Sequence, residues 1–225
     1  MRKVNLMGIT LRDMFLRESL LQVETFLKNG ALNSVIYLNI PLLVRAQKDE
    51  SIARWIEHAD ITVFGDKEIL RQCGITARNR AEEAENLAFL NALFTTLAYK
   101  RYSVYLISDT ENGIGKLSAD ISAVRDDLNI VGQNIYGIDE DVNAGTINEI
   151  NSIVPRVIIM RATDNLSIEL IDNYRSMINA EVIVFLPQDM DIAGRRKTVK
   201  EKFIQKIYHR MFKRNANQYT NSKNS

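Results

Sequence analysis

Short apolar runs alternate with segments of helical periodicity along most of the chain, and this alternation constrains the fold more than any other feature. Each run is apolar on both faces, as in strands that helices cover on both sides. Such a pattern is typical of crossover connections between parallel strands. We therefore predict a Rossmann-like, doubly wound α/β fold with a mostly parallel sheet. The predicted strands are residues 34–38, 61–64, 103–107, 130–131, 157–160 and 182–186.

Two other segments have a predicted shape that the structure can test. The spacing of leucine and phenylalanine residues predicts one long helix over residues 80–100. Residues 4–10, centred on Gly8, predict a short strand or a hairpin.

Composition limits the classes to which the protein can belong. At 225 residues the chain has the length of one domain, or of one domain with an appendage. It has no apolar run long enough for a membrane-spanning helix and no signal-peptide core at its start. The single Cys73 fits a reducing compartment, so we expect a cytoplasmic protein. With His58 and His209 as the only histidines, neither a zinc site nor a His-based catalytic triad is expected.

Basic residues are concentrated at the C-terminus. Residues 195–225 contain ten Lys or Arg and one Glu, a net charge of +9, which leaves −8 for residues 1–194 of a chain whose total is +1. Apolar residues at helical spacing, among them Phe203, Ile207 and Phe212, predict an amphipathic helix that lies on an anionic membrane. The alternative is that its apolar face packs on the domain. A nucleic-acid partner is not expected, because basic residues outside this segment are unclustered.

The joint after the second strand is the main candidate site. The sequence predicts a buried strand at 61–64 that stops at Gly65, followed by a helix that begins near Asp66. In doubly wound sheets, ligands bind where strands end and helices begin. Asp66 is therefore a candidate site residue, and the alternative is that it only caps the helix.

The chain resembles the WecG/TagA/CpsF family of glycosyltransferases over nearly its whole length. The matching segments are VNLMGI at 4–9, LN at 38–39, AD at 59–60, NIVGQNIYG at 129–137, PRVII at 155–159 and DIAG at 191–194. The resemblance implies transfer of a hexosamine from a UDP-sugar to a polyprenyl-diphosphate-linked acceptor in the assembly of teichoic acid or other cell-surface polysaccharide. It implies no metal and no other cofactor. It also implies that Asn39, Gly137 and Asp191 bind substrate.

The resemblance is weakest in the loops that supply chemistry. The catalytic aspartate of the family aligns with Gly65, and Asp66 follows one residue later, where a side chain at a helix start is turned by about 100°. The glycine-rich loop that resembles a diphosphate cradle is replaced by residues 161–169. Arg161 is either a phosphate partner or, as we expect, part of a surface ion pair. These departures predict that catalysis is impaired.

Three hypotheses follow. The first is a catalytically impaired family member, a pseudoenzyme that binds a UDP-sugar, a lipid-linked intermediate or an intact partner glycosyltransferase. The second is an active inverting hexosaminyltransferase with Asp66 or Asp60 as base. The third is a small-molecule-binding regulator on the same fold.

The predicted organisation has three parts. Residues 1–194 form a glycosyltransferase-like α/β domain, 195–214 a basic amphipathic C-terminal helix, and 215–225 a disordered tail. The helix predicts peripheral attachment to the inner face of the membrane. The predicted diphosphate- or membrane-binding residues are Arg195, Arg196, Lys206, Arg210, Lys213 and Arg214.

Overall fold

A parallel β-sheet forms the centre of the computed structural model, which describes residues 2–194 and 198–223, with side chains described up to Tyr219. Within those residues the sheet has six strands in the order β4-β3-β8-β7-β5-β6, and every neighbouring pair is parallel. The predicted doubly wound α/β fold is therefore confirmed. The strands are β1 Arg2–Leu6, β2 Ile9–Asp13, β3 Asn33–Leu38, β4 Ile61–Phe64, β5 Val104–Ser108, β6 Ile130–Ile135, β7 Val157–Arg161 and β8 Val182–Phe185.

Helices cover both faces of the sheet and bury two separate cores. Within β7, Ile158 and Met160 belong to one core and Val157 and Ile159 to the other, because successive side chains of a strand point to opposite faces. This explains why the strand sequences are apolar at every position. The helices are α1 Leu16–Phe26, α2 Ile40–Ala46, α3 Glu50–His58, α4 Lys67–Gln72, α5 Arg78–Glu85, α6 Ala88–Lys100, α7 Glu111–Val124, α8 Glu140–Ile153, α9 Asp164–Tyr174 and α10 Val199–Lys223.

The N-terminal strands β1 and β2 form an antiparallel hairpin outside the main sheet. Its turn needs positive φ at Met7 (54°) and Gly8 (91°), and Gly8 supplies the conformation that other residues rarely adopt. The hairpin is tied to β4, because Thr62 Oγ1 donates to the Arg12 carbonyl at 2.9 Å. The predicted hairpin is confirmed.

The single long helix predicted over residues 80–100 is wrong. The structure breaks it into α5 and α6 at Leu87, whose φ is 49°. Asn91 Nδ2 donates to the Asn86 carbonyl at 2.8 Å, which satisfies a group that the break exposes. The turn lets Leu87 pack against the core. It also lets α5 place Arg80 beside Asp13, with Nη2 of Arg80 2.8 Å from Oδ1 of Asp13. The periodicity of apolar residues is the same for one helix or two, so the sequence pattern could not detect the break.

Chain direction brings six strand ends to one side of the sheet, which we call the carboxyl edge. The chain runs from β3 outward to β4, crosses to β5 and β6, and then fills the centre with β7 and β8. Because all six strands are parallel, their last residues and the helix starts that follow them share this edge. Ligands of doubly wound sheets bind outside such an edge.

The C-terminal helix α10 has an inner half that packs on the domain and an outer half that does not. In the inner half, residues 208–219, Phe212 and Ala216 are buried and Asn215 Nδ2 donates to Gln47 Oε1 on α2. The helix continues to Lys223, although the sequence predicts a disordered tail from residue 215. The sequence could not show the contact between Asn215 and the distant Gln47. In the outer half, residues 199–207, Val199 is 85% exposed and Phe203 64%.

Two features of the described residues concern contact with a membrane. Phe212, predicted to be one of the residues on its membrane-facing stripe, is instead fully buried against the domain. Among the described residues, every helix is too short or too polar to cross a bilayer.

Candidate active site at the carboxyl edge

Asp66 is the N-cap of α4, as the capping alternative predicts. Its Oδ1 accepts a hydrogen bond from the backbone N–H of Glu68 at 2.7 Å. Its other oxygen, Oδ2, lies 3.5 Å from Nε2 of His209 on α10, and the side chain is 20% exposed. One carboxylate oxygen therefore fixes the helix start, and the other faces the space between the joint and α10.

Gly65 has no room for a side chain. Its N–H donates to the Leu38 carbonyl at 2.8 Å, which draws the β4 end onto β3. A Cβ built on Gly65 would lie 2.6 Å from Cε1 of Tyr37 and 2.9 Å from the Leu38 carbonyl oxygen. These are distances that real Cβ atoms do not adopt, so the ring of Tyr37 occupies the volume of a side chain at position 65.

Tyr37 is the residue at this site that the sequence analysis missed. It is the penultimate residue of β3, and only its place at a strand end beside Asn39 could have drawn attention to it. Burial raises the pKa of its phenol, so the ring is neutral at physiological pH. The space beside Gly65 is thus filled by a buried, uncharged ring.

Next to this joint is a small cavity. Its volume is about 40 Å³, and its walls include Tyr37, Phe64 and Arg80. A water molecule needs about 10–15 Å³ measured in this way, so the cavity holds only a few waters. Small-molecule sites have volumes of about 300–1,000 Å³. This cavity is therefore too small for a nucleotide sugar.

Asn39 joins the β3 end to the segment after β8. Its Oδ1 accepts from the Leu42 N–H at 2.9 Å, which makes it the N-cap of α2, and its Nδ2 donates to Asp189 Oδ1 at 2.8 Å. Asn39 therefore has a structural role as a helix cap. Its predicted role in substrate binding stays a prediction, and its amide lies at the edge where that role would place it.

Further polar groups of the carboxyl edge bind each other. Asp109 Oδ2 accepts from Gln188 Nε2 at 2.6 Å and from the Thr163 N–H at 3.3 Å, which links the ends of β5, β7 and β8. Arg45 pairs with Asp164 at 2.5 Å. Burial opposes the charge of Arg45, but Asp164 outweighs it and raises the pKa of the guanidinium. This network was not predicted, although every member except Arg45, which lies in the last turn of α2, follows a strand or opens a helix.

Gly137 and Asp191, the other predicted substrate-binding residues, also follow strands. Gly137 donates its N–H to Asn143 Oδ1 and accepts from Asn143 Nδ2, both at 2.8 Å. Asp191 follows β8, and among the described residues its buried Oδ1 has no hydrogen-bond partner. Their roles in binding stay predictions.

Arg161 is not in a surface ion pair. It is the last residue of β7, and its guanidinium is buried with Asp120 of α7, Nη1 to Oδ2, at 2.7 Å. Its Nε and Nη2 are buried without a hydrogen-bond partner in the described part of the chain. The resemblance suggests a loop at residue 161, but pairing with β5 extends the strand to this residue and points it into the interior.

Asp60, the alternative base, is on the wrong side of the sheet. It precedes β4, so the length of that strand, roughly 13 Å at about 3.3 Å per residue, separates it from the carboxyl edge. Its Oδ2 accepts from the Ser34 N–H at 2.8 Å and pairs with Arg175 at 3.0 Å. These contacts give Asp60 a structural role.

The basic residues of α10 are placed unevenly. Lys213 Nζ lies 3.7 Å from Glu68 Oε1, so it faces the β4–α4 joint. Lys206, Arg210 and Arg214 are exposed on the same helix. Arg195 and Arg196 lie outside the described residues.

Fold and edge together define the class. The protein is a parallel, doubly wound α/β protein whose capping carboxylates and amides meet at the ligand-binding edge of the sheet. In the described part of the chain, His, Cys, Asp and Glu side chains form no group of three that could hold a metal ion.

The comparison with known families agrees with this class. The chain belongs to the WecG/TagA/CpsF family of glycosyl transferases, whose family model matches residues 4–217. Membership implies a UDP-sugar donor, a lipid-linked acceptor and sugar transfer in the synthesis of cell-surface polysaccharide or teichoic acid. A search of the curated proteins finds no match.

Proposed function

We propose that this protein is an inverting hexosaminyltransferase that moves a sugar from a UDP-sugar to a lipid-diphosphate-linked acceptor, with Asp66 as the carboxylate at its site. The supporting observation is the placement of Asp66. It stands at the carboxyl edge, with one oxygen bound to α4 and the other directed at α10. An inverting transfer needs a group that takes the proton of the acceptor hydroxyl, which is typically worth about 10²–10⁴ in rate.

Donor and acceptor would meet above the strand ends. The cavity beside Tyr37 is too small for either substrate, whereas Asn39 and Asp66 lie on neighbouring strand ends at the open side. This arrangement supports a donor that lies across β3 and β4, with the acceptor entering beneath α10. Gly137 and Asp191 are proposed to bind the donor from the other half of the edge.

The outer half of α10 is proposed to rest on an anionic membrane. Its exposed apolar residues include Val199, Phe203 and Ile207, while Lys206 and Arg210 are exposed nearby. A fully buried apolar side chain contributes roughly 1.5–3 kcal/mol, and each basic residue near an anionic leaflet about 1 kcal/mol. Because the inner half is packed on the domain, this attachment would hold the carboxyl edge next to a lipid-linked acceptor.

A second candidate function is binding without efficient transfer. The observation that favours it is Tyr37, whose buried ring fills the space of a side chain at Gly65. A chain that lost the need for that carboxylate could keep such a ring. In this case the protein would hold a UDP-sugar, a lipid-linked intermediate or an intact partner glycosyltransferase.

Acceptor-dependent UDP release separates the two candidates. Purified protein is given UDP-N-acetylmannosamine or UDP-N-acetylglucosamine with a lipid-diphosphate acceptor analogue. We expect release by the wild type and a loss of at least about 10² for Asp66→Asn, which keeps the capping oxygen. Asp49→Asn is the matched control, because Asp49 caps α3 through Oδ1 and the Ser51 N–H at 2.9 Å.

Each alternative outcome has a defined meaning. Release that Asp66→Asn leaves within about tenfold of the wild type would remove Asp66 from the catalytic site. UDP binding by calorimetry without release would favour the second candidate.

A further inference from the structure

His209 is placed at the candidate site by the inner half of α10. Its Nε2 lies 3.5 Å from Asp66 Oδ2, and its Nδ1 lies 2.9 Å from the backbone oxygen of Gln205, one turn earlier. The ring is 32% exposed, so it is reachable from the open edge. It thus stands beside the position where the family aspartate is replaced by Gly65.

The backbone contact fixes which ring nitrogen can take a proton. In neutral imidazole one nitrogen donates and the other accepts. Since the carbonyl of Gln205 can only accept, Nδ1–H donates to it and the lone pair is on Nε2. Nε2 lies at the side of the joint that opens to the carboxyl edge, where it forms an ion pair with Asp66 only when the ring is protonated.

We propose that His209 is the general base of the transfer and that Asp66 stabilises its protonated form. The inference rests on the proposed transferase function and assigns the base to a helix that the sequence predicts only as a membrane contact. The acceptor oxygen attacks the anomeric carbon of the donor while its proton moves to Nε2 of His209. The bond between that carbon and the diphosphate oxygen breaks, and UDP leaves with the electron pair.

The local charges suit this step. The imidazolium formed in the reaction would lie beside the carboxylate of Asp66, the N-cap of α4. On the helix of His209, Lys213 Nζ lies 3.7 Å from Glu68 Oε1. On α2, Arg45 pairs with Asp164.

The separation of 3.5 Å between His209 Nε2 and Asp66 Oδ2 is longer than an ordinary hydrogen bond. A hydroxyl that entered here could contact Nε2 directly. Burial of Phe212 and the contact between Lys213 and Glu68 hold α10 in place without His209, so the residue can be replaced while the helix stays docked.

His58 is a matched control within the same chain, which has two histidines. Its Nδ1 lies 2.7 Å from the backbone oxygen of Arg54, one turn earlier, which is the same contact that His209 makes. It ends α3, just before β4, at the side of the sheet away from the carboxyl edge. An effect on activity that follows replacement of either histidine is therefore general. An effect that follows only replacement of His209 is specific to the site.

Kinetics with three variants test the proposal. We expect His209→Gln to lower kcat by about 10²–10⁴ while UDP binding, measured by calorimetry, stays within about threefold, and His58→Gln to keep wild-type values. The wild-type rate should fall as the pH is lowered through the range in which imidazole gains a proton, and His209→Gln should lose this limb. His209→Ala should regain activity when imidazole is added, which a purely structural residue would not do.

Ring-nitrogen NMR provides a test that needs no turnover. Both histidines should show the Nδ1–H tautomer when neutral, and Asp66→Asn should change the signals of His209 but leave those of His58. A kcat for His209→Gln within tenfold of the wild type, or identical His209 signals in Asp66→Asn, would overturn this proposal and leave the transferase function standing. Absence of UDP release by the wild type would overturn both.

Discussion

Replacing Gly65 by alanine should destabilise the protein, although alanine adds only one methyl group. The new Cβ would lie 2.6 Å and 2.8 Å from two ring carbons of Tyr37 and 2.9 Å from the Leu38 carbonyl oxygen. Tyr37 is buried in the core and cannot swing away, and the carbonyl belongs to a paired strand. Overpacking of this kind costs about 1–3 kcal/mol, and the close backbone atom favours the upper half of that range.

Urea unfolding followed by circular dichroism measures this cost, with Gly145→Ala as the control. Gly145 lies in α8 with nothing within 4 Å of a Cβ, so alanine there should raise the free energy of unfolding by up to about 1 kcal/mol. In a Tyr37→Leu background, which removes the ring but not the contact with the Leu38 carbonyl, part of the cost of Gly65→Ala should disappear, because residues in contact are coupled. A Gly65→Ala change of less than about 0.5 kcal/mol would refute the claim that Tyr37 fills this space.

Three other predictions concern the ion pair, the outer half of α10 and the cysteine. Arg161→Met leaves the buried Asp120 carboxylate without its guanidinium and should lower the free energy of unfolding by about 3–5 kcal/mol, whereas a surface pair would cost about 1 kcal/mol or less. Phe203→Glu should weaken co-sedimentation with anionic liposomes at low salt, and Tyr99→Glu, at an exposed aromatic residue of α6, should not; equal loss would contradict the membrane proposal. Burial raises the pKa of Cys73 to about 12, so the thiol stays neutral and iodoacetamide should label it at pH 8 only after unfolding; rapid labelling of the folded protein would contradict this.

The residues of the candidate site show which features the sequence predicts correctly. The cap formed by Asp66 depends on residues within one turn of it, so the sequence predicts it correctly. The cap that Asn39 forms on α2 is equally local, but it was not predicted. The alternative base Asp60 was a wrong prediction, because Asp60 precedes β4 and Asp66 follows it. The two residues therefore lie at opposite sides of the sheet.

The wrong predictions have a common physical origin in long-range contacts. Arg161 is buried because β7 pairs with β5 through that residue and Asp120 lies above it on α7. The helix break at Leu87 and the burial of Phe212 likewise depend on surfaces from distant parts of the chain. Apolar spacing indicates that a side chain is buried but does not identify the residues that bury it.

The sequence by itself determined the doubly wound α/β class, the alternation of strands and helices, the cap at Asp66 and the family. These follow from periodicity, local hydrogen bonding and motif order, all of which are properties of neighbouring residues. Only the tertiary structure decided that Tyr37 fills the space at Gly65, that α10 is half packed and half exposed, and that His209 faces Asp66. The physical reason is that strand order and helix docking join residues far apart in the chain, and the geometry of a site exists only after that joining.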